Sequence, residues 1–468
     1  MFGDVMRLGR AEELIRQKMS ARGIDRVATD RFLNMVRRIS DGQSGYVPLN
    51  EVAAPDPSLL IDSAREQDQI PALEKRGREL LRQVAVIKLN GGRATTMGTL
   101  VPKGILKAKD GRSYLEIIIG QMDAHRKRWK ADIPLVLMNS FFTDGPTMEI
   151  VNRHDVPVLT FIQNQVPRLM EGSLAPLDTG SDEDWVPPGH GDVYESLKGT
   201  GLLDHLRSLG CRWAFISNLD NLAACLEPWI VGLLDQHGIE FLLEVTERTP
   251  ADMKGGTLVV QEGHLDLLEI AQVSPSERDM FMDIERFKVF NTNNVWVDLE
   301  ALDRLLETGG LNLPIIQNRK SVGGTRVIQL ETAMGAAIGS FPRARGLKVG
   351  RDRFFPTKKV SDLFVLQSDA CILDAFDRLR RNPKRPASLP FMPAVHFSLD
   401  FVDSPHMMVE RFEEPSSVSL VRASSMHVKG AVYFERDVKI EGDVIVNAPE
   451  GKILCIPRGT VLRNGNYS

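Results

Sequence analysis

Between Val84 and Val245, short apolar runs alternate with longer amphipathic stretches, and each run stops at a cluster of polar side chains. The runs are Val84–Leu89, Leu135–Met138, Leu159–Ile162, Trp213–Ser217 and Phe241–Val245. Runs this short read as buried strands. Strands separated by helical stretches predict an α/β domain with a mostly parallel sheet. The polar ends are Asn90-Gly91-Gly92, Asn139-Ser140, Gln163-Asn164-Gln165, Asn218-Leu219-Asp220-Asn221 and Thr246-Glu247-Arg248. Ligands of open α/β sheets settle at the carboxyl ends of the strands, so five such ends predict one shared crevice.

Either side of this region the texture differs. Residues 1–80 read as a helical segment. Leu14, Ile15 and Met19, then Phe32, Met35, Val36 and Ile39, fall at helical spacing, and Asp62–Arg82 reads as a further polar helix. The Pro-rich stretch Arg385–Pro393 marks a boundary. Beyond it Val432, Val438, Val444, Ile456 and Leu462 follow a step of six, punctuated by Gly430, Gly442 and Gly459. That step marks a parallel β-helix; a small antiparallel sheet with similar alternation is the alternative. The division is therefore 1–80, an α/β domain over 81–385, and a C-terminal domain over 386–468.

A chain of 468 residues with 43% hydrophobic and 26% charged residues has ample material for such cores and is not disordered. Its net charge of −4 argues against a nucleic-acid or anionic-membrane binder. Its start lacks an apolar signal core, and no apolar run is long enough to span a bilayer, so a cytoplasmic location is expected. Cys211, Cys225, Cys371 and Cys455 are far apart and form no CxxC pair, which predicts reduced, buried thiols.

Several motifs carry chemistry. Leu89-Asn90-Gly91-Gly92 follows the first strand, with Pro102-Lys103 downstream. Paired glycines let backbone amides approach a phosphate or a base edge, and Lys103 adds a point charge. Asp220 ends a strand beside amide side chains, where it suits Mg²⁺ or, equally, a helix N-cap. Pro187-Pro188-Gly189-His190-Gly191-Asp192 is a rigid loop presenting a histidine. Asn291-Thr292-Asn293-Asn294 suits a polyhydroxylated ligand or an Asn-rich turn. Lys254 precedes a second glycine pair, and Lys358-Lys359 lie between hydrophobic anchors.

Taken in order, these blocks resemble the eukaryotic-type UTP–glucose-1-phosphate uridylyltransferases. The resemblance runs from about Val86 to the C-terminus. It is carried by KLNGG with its following MG and PK, and by MNSFFTD (Met138–Asp144), FIQNQVPR, PPGHGDVY (Pro187–Tyr194) and ISNLDNLAA (Ile216–Ala224). EVTERTPADMKGGTL (Glu244–Leu258), LLEIAQV (Leu267–Val273), FNTNNVW (Phe290–Trp296), VIQLETAMGAAI (Val327–Ile338) and RFFPTKKVSDL (Arg353–Leu363) complete it. The implied fold is a central Rossmann-like nucleotidyltransferase domain with an N-terminal helical segment and a C-terminal left-handed parallel β-helix.

The resemblance implies the Mg²⁺-dependent reaction of UTP and glucose 1-phosphate to UDP-glucose and pyrophosphate, with no nucleic-acid or membrane partner. It allows a homo-oligomer through the C-terminal domain. Leu89, Asn90, Gly91, Gly92, Gln163 and Gly189 match nucleotide-binding positions, with Gln163 facing uracil. His190, Asn218, Leu219, Asp220, Lys254, Glu269, Asn291 and Asn293 match the sugar-phosphate side. Lys103 and Lys358 match two phosphate-binding lysines and, with the Mg²⁺ carboxylate Asp220, the catalytic set. Arg93-Ala94 replaces the family's Leu-Gly, which predicts a loop that sits differently and an added cation beside the phosphates. Arg248 stands where lysine is common. A related enzyme for galactose 1-phosphate or N-acetylglucosamine 1-phosphate, or a nucleotide-sugar-binding protein without turnover, are the rival readings.

Overall fold

The computed structural model describes residues 2–42 and 45–468. The predicted runs are strands of one eight-stranded sheet. In chain order the sheet contains β1 (Leu60–Asp62), β2 (Val84–Asn90), β3 (Leu135–Asn139) and β4 (Val158–Ile162), then β5 (Trp213–Asn218), β6 (Phe241–Glu247), β7 (Val289–Asp298) and β8 (Ala344–Lys348). Their spatial order is β1-β8-β6-β7-β5-β2-β3-β4. Seven strands run parallel, while β7 pairs antiparallel with both β5 and β6.

Alternation along β2 splits the interior in two. Val84 and Val86 join one core with Trp213, Phe215 and Leu135; Ala85 and Ile87 join the other with Ala214, Ile216 and Val136. Helices close both faces. Among them α3 (Ile70–Leu80) lies so close to α5 (Pro228–His237) that a side chain at Gly77 or Gly232 would overlap the other helix's backbone. Between them in sequence, α4 (Tyr114–Trp129) starts with a capping box in which Ser113 accepts from the Glu116 amide and the Glu116 carboxylate accepts from Ser113.

Three expectations need correction. Residues 62–69 are not helical: Leu60–Asp62 is the edge strand β1, paired with β8, and the helix starts only at Ile70. The Asn291–Asn294 cluster is not a turn. It lies inside the continuous strand β7, where the register on β6 shifts between Glu244 and Val245 and Asn293 adopts φ +55°. Finally, Cys455 is exposed, although Cys211, Cys225 and Cys371 are buried as expected.

The N-terminal helices α1 (Phe2–Ala21) and α2 (Arg26–Ser40) bury Ile15, Met19, Phe32 and Val36 against Val166, Trp185, Val186 and Leu330. Leu14, in contrast, stays exposed. Lys18 donates to the Asp184 carboxylate at 2.8 Å, fixing the arm to the segment that carries Trp185.

In the C-terminal region β9 (Ala394–Phe397), β10 (Ser419–Lys429), β12 (Lys439–Asn447) and β14 (Val461–Tyr467) pair only in parallel. The short strands β11 (Val432–Phe434) and β13 (Leu454–Ile456) form a second parallel pair. The residues on the six-residue step are all buried. Parallel pairing excludes the small antiparallel sheet. This core is continuous with the one beneath the main sheet, through Phe364, Phe397, Phe401, Phe412 and Phe434.

Candidate active site

The chain reverses direction across the sheet between β2 and β5. Leu89 lies beside Asn218, and Asn90 beside Asn139. This switch point opens a cavity of about 450 Å³. Its first wall is the glycine turn. The buried Asn90 amide donates to Asn139 Oδ1 (2.8 Å) and Thr147 Oγ1 (2.7 Å), locking β2 to β3. Ser140 Oγ donates to Gly91 O at 2.8 Å, and the Gln163 amide donates to Asn139 O at 2.8 Å. A methyl group on Gly91 would overlap the Gln163 side-chain amide, so glycine leaves that amide facing bare backbone. Ala94 sits at φ −79°, which any residue adopts, so its replacement of glycine leaves the turn unstrained. The Arg93 guanidinium stacks 3.8 Å over the Phe142 ring.

Opposite stands an ion pair. Lys103 Nζ donates to Asp220 Oδ2 at 2.7 Å and to Thr357 O at 3.0 Å. Thr357 in turn donates its amide (3.2 Å) and hydroxyl (3.0 Å) to Asp220 O. No helix follows Asp220, the next beginning at Pro228, so its carboxylate is not a cap. Its second oxygen, Oδ1, is buried without a partner. Lys358 comes next in the chain after Thr357. Its backbone amide donates to Asp362 (2.8 Å) and its carbonyl accepts from Thr96 (2.7 Å). Its exposed ammonium makes no hydrogen bond among the described residues.

The third wall is the proline-glycine loop. Gly189 has φ +84° and lies against Thr332, where any side chain would collide with backbone. His190 Nδ1 accepts from the Met334 amide at 2.9 Å, so a neutral ring carries its proton on Nε2. Burial pushes its pKa down to about 4, and the Lys358 ammonium adds to the shift. At neutral pH it therefore offers an N–H donor and no charge. A ring-nitrogen NMR titration is expected to show His190 unprotonated down to about pH 5; an inflection near 6.5 would contradict this. Because the folded value lies below the unfolded one, this group lowers stability as pH falls from about 6.5 towards 4.

The cavity brings together Leu89, Asn90, Gly91, Gly92, Lys103, Gln163, Gly189, His190, Asn218, Leu219 and Asp220. Glu269, Asn291 and Asn293 form an adjoining group outside its wall. Asn291 Nδ2 donates to Asn293 Oδ1 at 2.9 Å, held by the bulge. Burial raises the Glu269 pKa, while the Lys358 ammonium opposes the rise, so Lys358 acts electrostatically on both Glu269 and His190. Lys254 lies on the exposed turn before Gly255 and is not in the wall. The fifth strand end is a correction too. Thr246 and Glu247 line a separate cavity, because β7 is inserted between β5 and β6 and displaces β6 sideways. Arg248 is structural: it is buried, donating to Phe281, Met253 and Gly255 carbonyls.

Sequence reasoning missed Arg168, Trp185, Lys320, Gln329 and Glu331, all in the wall. Lys320, Gln329 and Glu331 come from the hairpin of Ile316–Val322 and Thr325–Glu331, which folds over the site. Arg168, five residues after Gln163, and Gln329 and Glu331, within VIQLETAMGAAI, all lie in motifs that carry the resemblance, so the sequence holds a signal for these three.

A glycine turn, a carboxylate–lysine pair and a neutral histidine at the switch point of a parallel sheet define a nucleotide-binding α/β protein of the phosphate-handling kind. The UTP–glucose-1-phosphate uridylyltransferase family model matches residues 29–441, and the chain belongs to that family. It is 39% identical to the UTP–glucose-1-phosphate uridylyltransferase of Solanum tuberosum over 97% of this chain and 96% of that protein. Identity to the Encephalitozoon cuniculi protein of the same name is 37%, over 93% and 86% respectively. The crystal structure of a UDP-glucose phosphorylase from Trypanosoma brucei superposes with a TM-score of 0.87, at 32% identity over 98% of this chain and 99% of that one. A Leishmania major UDP-glucose pyrophosphorylase variant in complex with UDP-glucose gives a TM-score of 0.86, at 30% identity over 97% and 98%.

Proposed function

We propose that this protein joins UTP and glucose 1-phosphate to give UDP-glucose and pyrophosphate. The observation that carries the reading is the Lys103–Asp220 pair facing the Gly91–Gln163 wall across one cavity. A phosphate oxygen of glucose 1-phosphate attacks the α-phosphorus of UTP; the bond to the bridging oxygen breaks and pyrophosphate leaves. The nucleophile is already an anion, so no general base is needed. The barrier is repulsion between anions, and positioning plus cationic stabilisation lowers it.

The residues divide that work. The Leu89–Gly92 backbone, Gln163 and Gly189 hold the nucleotide, with the Gln163 amide reading uracil. His190 donates Nε2–H to the sugar phosphate, near Asn218 and Leu219. Lys103 and Lys358 stabilise charge on the transferring group. Glu269, Asn291 and Asn293 read sugar hydroxyls, and Lys254 belongs to the same substrate-facing set.

Asp220 fits a divalent cation, since its Oδ1 is a buried acceptor without a partner. Among the described residues no group of three acidic, His or Cys side chains converges, so one carboxylate would hold Mg²⁺ together with phosphate oxygens and water. Bound there, Mg²⁺ would neutralise phosphate charge. Asp220→Asn is expected to raise the Mg²⁺ concentration for half-maximal rate by roughly tenfold, the loss of one charge-assisted contact; an unchanged titration would remove Asp220 as the ligand.

Parallel pairing and the six-residue step support winding of residues 386–468 as the family's left-handed β-helix. The reduced thiols and the lack, among the described residues, of any helix long and apolar enough to cross a membrane are compatible with a cytoplasmic enzyme. The test is pyrophosphate release with Mg²⁺, running UTP against CTP, GTP and ATP, and glucose 1-phosphate against galactose and N-acetylglucosamine 1-phosphates. Release confined to UTP and glucose 1-phosphate is expected. Release with another pair would move the substrate, and folded protein with none would overturn the reading.

A further inference from the structure

Lys88 breaks the pattern of the strand it sits on. It shares a face of β2 with Val84 and Val86, where the sheet packs its apolar core, and it is only 2% exposed. A buried ammonium is costly, and an apolar residue would pack there without that cost. The sequence therefore places a charge where packing alone would reject one.

The contacts show what the ammonium does. It donates to Ser217 Oγ at 2.7 Å and to Ala224 O at 2.7 Å. Ser217 is its register neighbour on β5, and Ala224 lies just past the turn that leaves β5. These two acceptors bracket the segment that carries Asn218 and Asp220. The same segment is tied at further points: Asp220 through Lys103 and Thr357 as described, Asn221 Oδ1 accepting from the Phe355 amide at 3.0 Å, and Leu222 O accepting from Gln121 Nε2 at 3.1 Å. Asn221 Nδ2 donates to Arg353 O at 3.1 Å, and Arg353 Nη1 donates to Cys225 O at 3.1 Å. Asn218, Leu219 and Asp220 face the cavity. We propose that Lys88 is a positioning residue: its ammonium clamps both ends of the 217–224 segment and so sets Asn218 and Asp220 for phosphoryl transfer. Lys88 lies outside the cavity wall.

The effect on turnover rests on the uridylyltransferase reading, so wild-type pyrophosphate release is the first arm. A silent wild type would refute that reading, and the segment's backbone exchange, measured without Mg²⁺, would then judge the clamp. The decisive variant is Lys88→Met combined with Ser217→Ala, which replaces both side-chain partners and so avoids the unpaired hydroxyl left by Lys88→Met alone. Three results are expected for it: a Tm above that of Lys88→Met, unchanged UDP affinity, and a kcat lower by roughly 10²-fold, the scale of a small misplacement of catalytic groups. Faster hydrogen exchange at the Leu219, Asn221 and Ala224 amides should accompany the loss. Ser217→Ala alone keeps the charge paired with Ala224, and it should lower kcat several-fold without raising the KM for UTP. The proposal is overturned if kcat recovers in step with Tm in the double variant, or if exchange across 218–224 stays at the wild-type rate. It is also overturned if Ser217→Ala leaves kcat unchanged.

Discussion

Lys358→Ala should lower kcat by about 10²–10³-fold, the scale of removing one preorganised charge-stabilising donor, while Tm stays at the wild-type value. The stability half follows from the surroundings. The side chain is exposed and its ammonium makes no hydrogen bond among the described residues, and the loop is held instead by backbone bonds to Asp362 and Thr96. The rate half follows from its field, which reaches both His190 and Glu269 on two sides of the site. An unpaired cation loses little in the free enzyme and gains most where charge builds up, so kcat should fall further than KM rises. Steady-state kinetics beside a thermal melt checks both halves, and a near-wild-type kcat would remove Lys358 from the chemistry. Lys103 would be a poorer probe: it already neutralises Asp220, and its loss would strand that carboxylate.

The second large effect is on stability. Arg353→Met should destabilise the protein by about 3–5 kcal/mol, the usual penalty for breaking one side of a buried ion pair. Arg353 makes two bonds to Glu244, at 2.7 and 2.8 Å, and Glu244 is fully buried. Glu244 also accepts from Trp296 (2.8 Å) and Asn294 (3.1 Å). Burial works against the Arg353 charge, but the Glu244 carboxylate outweighs it and holds the guanidinium protonated. Removing the cation leaves an uncompensated anion among apolar side chains. Urea unfolding at neutral pH would measure this, and a change below about 1 kcal/mol would show that water or repacking takes over the role.

The sequence made some of this plain and hid the rest for physical reasons. Strands β2, β3, β5 and β6 could be read because burial on both faces forces short, nearly unbroken apolar runs, whereas the half-buried edge strand β4 shows through its own apolar run. The glycine turn and Asp220 could be read because each sits within a few residues of a strand end, and Lys103 because it follows the glycine turn in a Pro-Lys step. The strand β7 was concealed by its own function: a bulge needs polar, turn-like residues at Asn291 to Asn294, and these mimic a loop. Strand β1 is only three residues long and holds its place through pairing with a strand almost 290 positions away. The Glu244–Arg353 pair spans 109 positions and the Lys88–Ser217 contact 129. No local pattern encodes such partners. The same holds for Lys320, which reaches the cavity only because its hairpin folds across it.

The shared apolar interior beneath the main sheet and the C-terminal parallel strands has a consequence for how the molecule comes apart. Phe364, on the helix just after the Lys358 loop, packs on Phe397 and Phe412, and Phe412 stacks on Phe434. Cutting the chain after Arg385 would not release two modules. It would strip a layer of aromatic rings from each, and Arg385 itself would lose the carbonyls of Leu420 and Ala423. Unfolding should therefore be one cooperative event, seen as a single heat-absorption peak. A lesion in the last C-terminal strand would then be felt as lost protein rather than as a lost appendage.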